Sequence, residues 1–331
     1  MTSALSLKSL TKRFRSVVAV DDVSIEVGVG EFVALLGPSG SGKTTMLRLL
    51  AGFDLPSAGQ IVIEGRDVSG LPPAERNIGM VFQHYALFPH MSIRRNIEYG
   101  LRMHGWAPAA RKARVDELLA MVRLEAVDHR MPHQLSGGQQ QRIAIARALA
   151  YSPSILLMDE PLGALDRALR IEMAEEIRRI HRTLGTTFIY VTHDRDEAMT
   201  LADRVLIMHG GKIEADDSPE TLFQRPPTAF VAGFFSGMNV VPAADLGITI
   251  CRTVGISPGS IRFTQPDSPH IALQATILDR LFLGEKIQFV LSVHPDKPPL
   301  IASIPATDAN DYKIADRITV FIGSTDMISL L

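Results

Sequence analysis

The chain has 331 residues, 46% of them hydrophobic and 21% charged, with a formal net charge of −2. Such a composition belongs to a globular protein with room for one large domain and a smaller one, and it lacks the basic excess of a nucleic-acid binder, so no nucleic-acid partner is expected. A single cysteine, Cys251, excludes an intrachain disulfide and a cysteine-rich metal site, and suits a reducing compartment.

Residues 1–15 include early polar residues and no continuous apolar run, so no signal peptide is expected there. No apolar stretch approaches the roughly 18 residues that cross a bilayer; the richest, residues 229–235, is far too short. A membrane role would therefore come through a partner. Further along, Phe32–Leu36 is an unbroken apolar run of strand length, followed at once by Gly37, Pro38, Ser39, Gly40, Ser41, Gly42, Lys43, Thr44 and Thr45 and then an apolar stretch to Ala51. This fits the P-loop pattern in the strand–loop–helix setting it requires. Glycines let backbone N–H groups close round phosphates, and the following helix adds its positive end. Lys43 would reach the β and γ phosphates, and the Thr44 hydroxyl would ligate Mg²⁺. Alone, the loop indicates a nucleotide without saying what the nucleotide is for.

Between Tyr85 and Tyr151 the strand signal fades, and residues 109–122 and 139–150 read as helices of an insertion spanning about 85–153. Within it, Leu135, Ser136, Gly137, Gly138 and Gln139 run into a helix; Ser136 is placed to cap it, and two glycines leave bare N–H groups at a positive helix end. A loose Ser-Gly-Gly would be an ordinary capped helix, but the full pentapeptide with Gln140, Gln141 and Arg142 behind it is much rarer. Residues 155–158 form another buried-strand run ending in Asp159 and Glu160. Asp159 would hold magnesium, and Glu160 beside it would polarise an attacking water. Leu169, Met173, Ile177, Ile180 and Leu184 make one apolar helical stripe that Gly185 stops, and residues 187–191 return as a strand. Buried strands alternating with helices predict an α/β core around a mainly parallel sheet. A boundary falls at about 225–239, after which short β-rich runs at 260–264, 287–291 and 318–322 predict a small barrel-like domain.

With these segments in hand, the sequence resembles the ABC transporter ATPase family. The P-loop, Gln83 in the run Val81, Phe82, Gln83, the pentapeptide 135–139, Asp159 with Glu160, Asp166 closing the run 163–166, and His193 in the run 191–194 all match, in the family's order and spacing. The likeness covers about residues 5–235 and implies an ATPase domain over 1–235 that uses ATP and Mg²⁺. It further implies a head-to-tail homodimer in which the P-loop of one chain and residues 136–139 of the other enclose one ATP. Ser136, Gly137, Gly138 and Gln139 would meet the γ-phosphate of the partner's nucleotide, and Gln83 would complete the magnesium and water shell. Asp166 would touch the partner's P-loop region, His193 would clamp the γ-phosphate and orient Glu160, and Phe14 would stack on adenine. None of these positions departs from the family pattern.

The tail, residues 236–331, resembles the TOBE-type domain, an OB-like barrel with a regulatory role, that follows the ATPase in importers; residues 275–286 and 315–322 carry the likeness. Where that domain often has Arg-Pro-Glu, this chain has Ile256, Ser257, Pro258 and Gly259. The resemblance thus implies an importer subunit at the cytoplasmic face of the plasma membrane. Its partners would be two integral membrane permease subunits and a periplasmic or extracellular solute-binding protein. Residues 71–80, 84–89 and 163–170 look most like polyamine (spermidine/putrescine) importers, although ferric iron, sulfate and sugar relatives share much of this. Non-transport ABC ATPases carry two cassettes or a long coiled coil; this chain has one cassette and an importer-like tail. A GTPase would carry Asn-Lys-x-Asp, which does not occur.

Overall fold

The computed structural model describes residues 3–330 except 164, 248–251 and 310, so Cys251 lies outside the described residues. The chain divides into two compact units, 1–219 and 220–331.

The first unit is built on a six-stranded sheet. Its order is Lys212–Asp217, Arg204–His209, Phe32–Leu36, Thr187–Thr192, Ile155–Asp159, Ile78–Val81. The last five run parallel, and Lys212–Asp217 joins the edge as an antiparallel hairpin strand. Strand side chains alternate between faces, and both faces are buried here. Phe32, Leu156, Met158, Phe188 and Tyr190 enter one apolar cluster with the helices of the insertion and helix Arg167–Leu184. Val33, Leu35, Ile155, Leu157, Ile189 and Val191 enter a second, with helix Lys43–Ala51 and a separate antiparallel sheet. Burial on both sides explains why these strands read as continuous apolar runs rather than alternations.

The separate sheet has the order Val17–Gly28, Ser3–Phe14, Ala58–Ile63, Arg66–Asp67. It is absent from the sequence reading for a physical reason. Pairing of the first two strands shifts register between Leu7 and Leu10 and again between Leu10 and Arg13, with Ser9 and Asp22 at φ 47° and 50°. Bulges of this kind break the period-2 pattern on which a strand assignment rests. The insertion contains, among the described residues, the helices Ile93–Met103, Pro108–Met121 and Gly137–Ala148 and no strand. Helix Arg167–Leu184 buries Met173, Ile177 and Ile180 and ends at Gly185 with φ 64°.

In the second unit, strands Ile261–Arg262, Arg317–Gly323, His270–Phe282, Lys286–Ser292 and Leu300–Pro305 form an antiparallel sheet in that order. Its first and last members come together, so the sheet is nearly closed as a barrel of OB type. Ala275, Ile277, Ile287, Phe289, Leu291, Ala302, Val320 and Ile322 fill it from alternate positions. The strand predicted over 260–264 is shorter than expected, because a 3₁₀ turn, Pro258–Ser260, takes its first residue and only Ile261 and Arg262 pair.

Candidate active site at the carboxyl edge of the parallel sheet

Register sets the site. Leu36 pairs with Thr192 and Ile207, Asp159 with Val191, and Val81 with Met158. The residues leaving these ends are therefore Gly37, His193, Glu160 and, two beyond Val81, Gln83. Open α/β sheets form their ligand crevices outside such carboxyl ends.

Helix Lys43–Ala51 starts from Gly42 at φ 106°, and no side chain caps its first turn. Its N–H groups and positive end are thus left to an anion. A Cβ on Gly42 would lie 2.2 Å from the Ala19 carbonyl oxygen and 2.7 Å from Met208 Cε. Ser41 is buried; its N–H bonds the Pro38 carbonyl, its carbonyl accepts from Gly211, and its hydroxyl has no partner among the described residues. Lys43 folds over the loop and donates to the carbonyls of Gly37 and Pro38 at 2.7 and 3.0 Å. Burial lowers its pKa against the opposing pull of Glu160 and Asp159. Ser39, Gly40 and Thr44 are exposed on the loop surface, with Pro38 and Thr45 half-buried. Phe14 pairs with Val17 at the tip of the hairpin whose return strand brings Ala19 against Gly42. Its ring is 45% exposed, with the Lys12 ammonium 4.8 Å from the centroid, so it is available for stacking beside the loop.

Burial, reinforced by the neighbouring Glu160 charge and opposed by Lys43, pushes the Asp159 carboxyl above its ordinary pKa. Glu160 itself sits at φ 41°, a left-handed conformation that a glutamate holds only when its surroundings fix it. Its N–H donates to the Val191 carbonyl at 3.0 Å and its carbonyl accepts from Gly163 at 3.2 Å. Its Oε1 lies 3.1 Å from His193 Nδ1. Behind His193 stands a polar group that the sequence reading missed. Tyr190 and Thr192 hydroxyls each donate to buried Glu197 at 2.8 Å, Asp194 N–H donates to the Thr192 hydroxyl at 3.0 Å, and Arg170 pairs with Asp194 at 3.2 Å. Burial raises both the Glu197 carboxyl and, strongly, the Tyr190 hydroxyl. One signal for it was present: Glu197 is a carboxylate on the apolar side of a short helix with Ala198 and Leu201.

Ser136, Gly137, Gly138 and Gln139 form a second glycine turn away from this edge. Ser136 Oγ accepts from Gln139 N–H at 3.4 Å, and Gln139 Oε1 accepts from Ser136 N–H at 3.1 Å, a capping box. The nearest neighbours of Gly137 and Gly138 are Leu165, Tyr85 and Leu169, not the phosphate loop of the same chain. Asp166, between those leucines, is exposed and caps helix Arg167–Leu184 by accepting from Leu169 N–H at 3.0 Å. Gln83 is exposed at the start of a loop whose next turn holds Tyr85 and Ala86 at φ 59° and 46°. The structure therefore gathers residues 37–45, Asp159, Glu160, His193 and Gln83 on one sheet edge, and leaves residues 136–139 with Asp166 in a second place.

Thr44, Gln83 and Asp159 offer a hydroxyl, an amide and a carboxylate oxygen, hard donors that suit Mg²⁺ completed by phosphate and water oxygens. No cluster of three or more His, Cys, Asp or Glu suited to a metal occurs among the described residues.

A phosphate-binding loop opening a helix, with carboxylates at the end of the parallel strand two places along the same sheet, defines a P-loop nucleoside-triphosphatase. The family model described as ABC transporter matches residues 20–163. A spermidine/putrescine import ATP-binding protein, PotA, from Bacillus cereus (strain ATCC 14579) is 38% identical over 339 residues, covering 100% of both chains. Its namesake from Nitrosospira multiformis is 50% identical over 239 residues, 72% of this chain and 66% of that one. Among solved structures, the ATP-binding cassette MJ0796 in a dimeric post-hydrolysis state with ADP and Pi is similar at a TM-score of 0.57 and 34% identity, over 65% of this chain and 98% of that one. The chain belongs to the ABC transporter family as an ATP-binding, ATP-hydrolysing subunit. No helix among the described residues is long and apolar enough to cross a membrane.

Proposed function

We propose that the chain works as a homodimer that closes on two Mg-ATP molecules. Each would lie between the phosphate loop of one copy and residues 136–139 of the other, and the cycle would drive polyamine uptake through two membrane permease subunits. The observation that carries this is the 3.1 Å approach of His193 to Glu160 on the same sheet edge as Lys43 and Asp159, while a second glycine turn at a helix start, Ser136 to Gln139, lies elsewhere in the chain. Full-length similarity to a polyamine import subunit supports the cargo class and the importer direction.

Lys43 binds the β and γ phosphates. Glu160 draws a proton from the attacking water, held in aim by His193. Thr44, Gln83 and Asp159 would hold the magnesium ion, which when bound neutralises the phosphate oxygens. Phe14 holds adenine. Gly137, Gly138 and the Ser136 hydroxyl close the site from the second copy, and Asp166 approaches that copy's loop. Because ATP makes contacts in the closed dimer that it lacks in the open one, it shifts the equilibrium toward closure. Closure moves the segment 85–93, where the permease subunits would dock from the cytoplasmic face of the membrane. A solute-binding protein would deliver cargo on the far side, and the barrel unit would serve as a regulatory domain.

The decisive variant is Glu160→Gln. It should bind Mg-ATP, hydrolyse it at least about a hundredfold more slowly, and accumulate as a dimer in size-exclusion chromatography with ATP. Near-normal turnover would remove Glu160 from its role. For cargo, labelled spermidine and putrescine uptake should fall in a deletion strain and return with the gene; loss of iron, sulfate or sugar uptake instead would reassign it.

A further inference from the structure

Helix Arg167–Leu184 carries, one turn in, a guanidinium that reaches three separate elements. Arg170 Nη2 donates to the Leu165 carbonyl at 3.2 Å, in the loop just before Asp166. Its Nη1 donates to Asp194 Oδ2 at 3.2 Å, just after His193. Its Nε is buried without a hydrogen bond and faces Glu197 Oε1 at 3.8 Å. That last separation is too long for a hydrogen bond but short enough for an ion pair.

Each partner of Arg170 leads to a part of the site. Asp194 Oδ1 accepts from the N–H groups of Asp196 and Glu197 and so fixes the start of the helix after His193. Glu197 takes the Thr192 hydroxyl proton, which leaves that oxygen's lone pair for Asp194 N–H; the turn 192–194 is thereby held from both sides. On the other side of Arg170, Leu165 and Leu169 pack against Gly137 and Gly138. The loop with Asp166 and the His193 turn therefore meet through one side chain, and Leu165 and Leu169 carry the contact on to the glycine turn.

We propose that Arg170 is a positioning residue that couples the loop carrying Asp166 to the turn carrying His193, so that a second copy engaging that loop sets the aim of His193 on Glu160. The inference rests on the dimeric reading above. It assigns the communication between loop and histidine to a guanidinium fork, whose fixed, planar set of donors can serve a carbonyl and a carboxylate at once. Burial raises the Glu197 carboxyl; the Tyr190 and Thr192 hydroxyls oppose that rise, and Arg170 adds a smaller opposing pull.

Three variants of the full chain test it by steady-state Mg-ATP hydrolysis and thermal unfolding. Arg170→Lys keeps a charge beside Asp194 but cannot span to Leu165. It should unfold at the parent temperature, with kcat reduced at least about tenfold and KM within about twofold. The double variant Arg170→Met with Glu197→Gln removes the cation together with the buried carboxylate it faces, and should be as slow as the lysine variant while likewise unfolding at the parent temperature. Turnover within about twofold of the parent in Arg170→Lys overturns the proposal, as does a double variant with parental kcat. His193→Ala run in parallel separates the two levels. Normal turnover there removes the catalytic reading, whereas slow turnover there beside a normal Arg170→Lys removes only the coupling.

Discussion

An alanine at position 42 would meet two penalties that the structure allows to be measured separately. Gly42 lies at φ 106°, where an L side chain costs about 1–2 kcal/mol, and its new methyl would come within 2.2 Å of the Ala19 carbonyl oxygen. Relieving that contact means moving backbone in a packed core, about 1–3 kcal/mol more. Gly40 supplies the control: its φ is 79°, but nothing lies within 4 Å of its Cβ position, so Gly40→Ala carries the conformational cost alone. Gly42→Ala should therefore unfold below Gly40→Ala by roughly 2–12 °C, from about 2–4 °C per kcal/mol in a unit of this size. Differential scanning calorimetry of the nucleotide-free protein reads the difference. Equal unfolding temperatures for the two variants would refute the reasoning, because they would mean that the Ala19 strand does not constrain the loop.

The remaining predictions use other parts of the structure. His181 is buried between Phe32 and Phe188, with Nε2 3.0 Å from the Gly30 carbonyl, and burial depresses its pKa. A depressed value means stability fully present above the imidazole's unfolded value of about 6.5 and lost as pH falls from there; urea midpoints should drop between pH 7.5 and 5.5, and His181→Gln should flatten that drop. Asp166→Ala should cost about 1 kcal/mol through loss of the helix cap while Asp166→Asn costs little, measured by the same denaturation; with the cap intact, slow turnover in the asparagine variant would report the contact with the second copy. Phe14→Ala should raise KM for ATP about tenfold with kcat unchanged, and Phe14→Trp should restore it, since the ring is exposed and one stacked base is worth about 1–3 kcal/mol; an unchanged KM would leave Phe14 no role in binding adenine.

What the sequence made legible follows from local physics. Strand Phe32–Leu36 and its glycine loop announce themselves because a strand buried on both faces is apolar throughout, and because the loop needs glycine where Ala19 and Met208 crowd it. The stripe from Leu169 to Leu184 is equally local. The antiparallel sheet over 3–28 and 58–67 is not, since bulges at Leu7 to Arg13 erase its alternation and Ala58–Ile63 pairs back to Ser3–Phe14 from far along the chain. In the site, Lys43, Asp159 and Glu160 were visible as neighbours of recognisable turns. The group behind His193 was not: Tyr190 hides in an otherwise apolar strand, and Arg170 looks like any exposed helical arginine until folding sets Leu165, Asp194 and Glu197 around it.

The Glu160 backbone, the buried Lys43 ammonium and the raised Asp159 carboxyl lie within one loop-and-strand edge, and each is held in a state less comfortable than its free one. Selection for heat resistance alone would therefore drift toward these positions. A population evolved without nucleotide should accumulate glycine at 160 or neutral residues at 43 and 159, becoming hardier and inert. Such residues standing together leave this edge less stable than neutral replacements would make it.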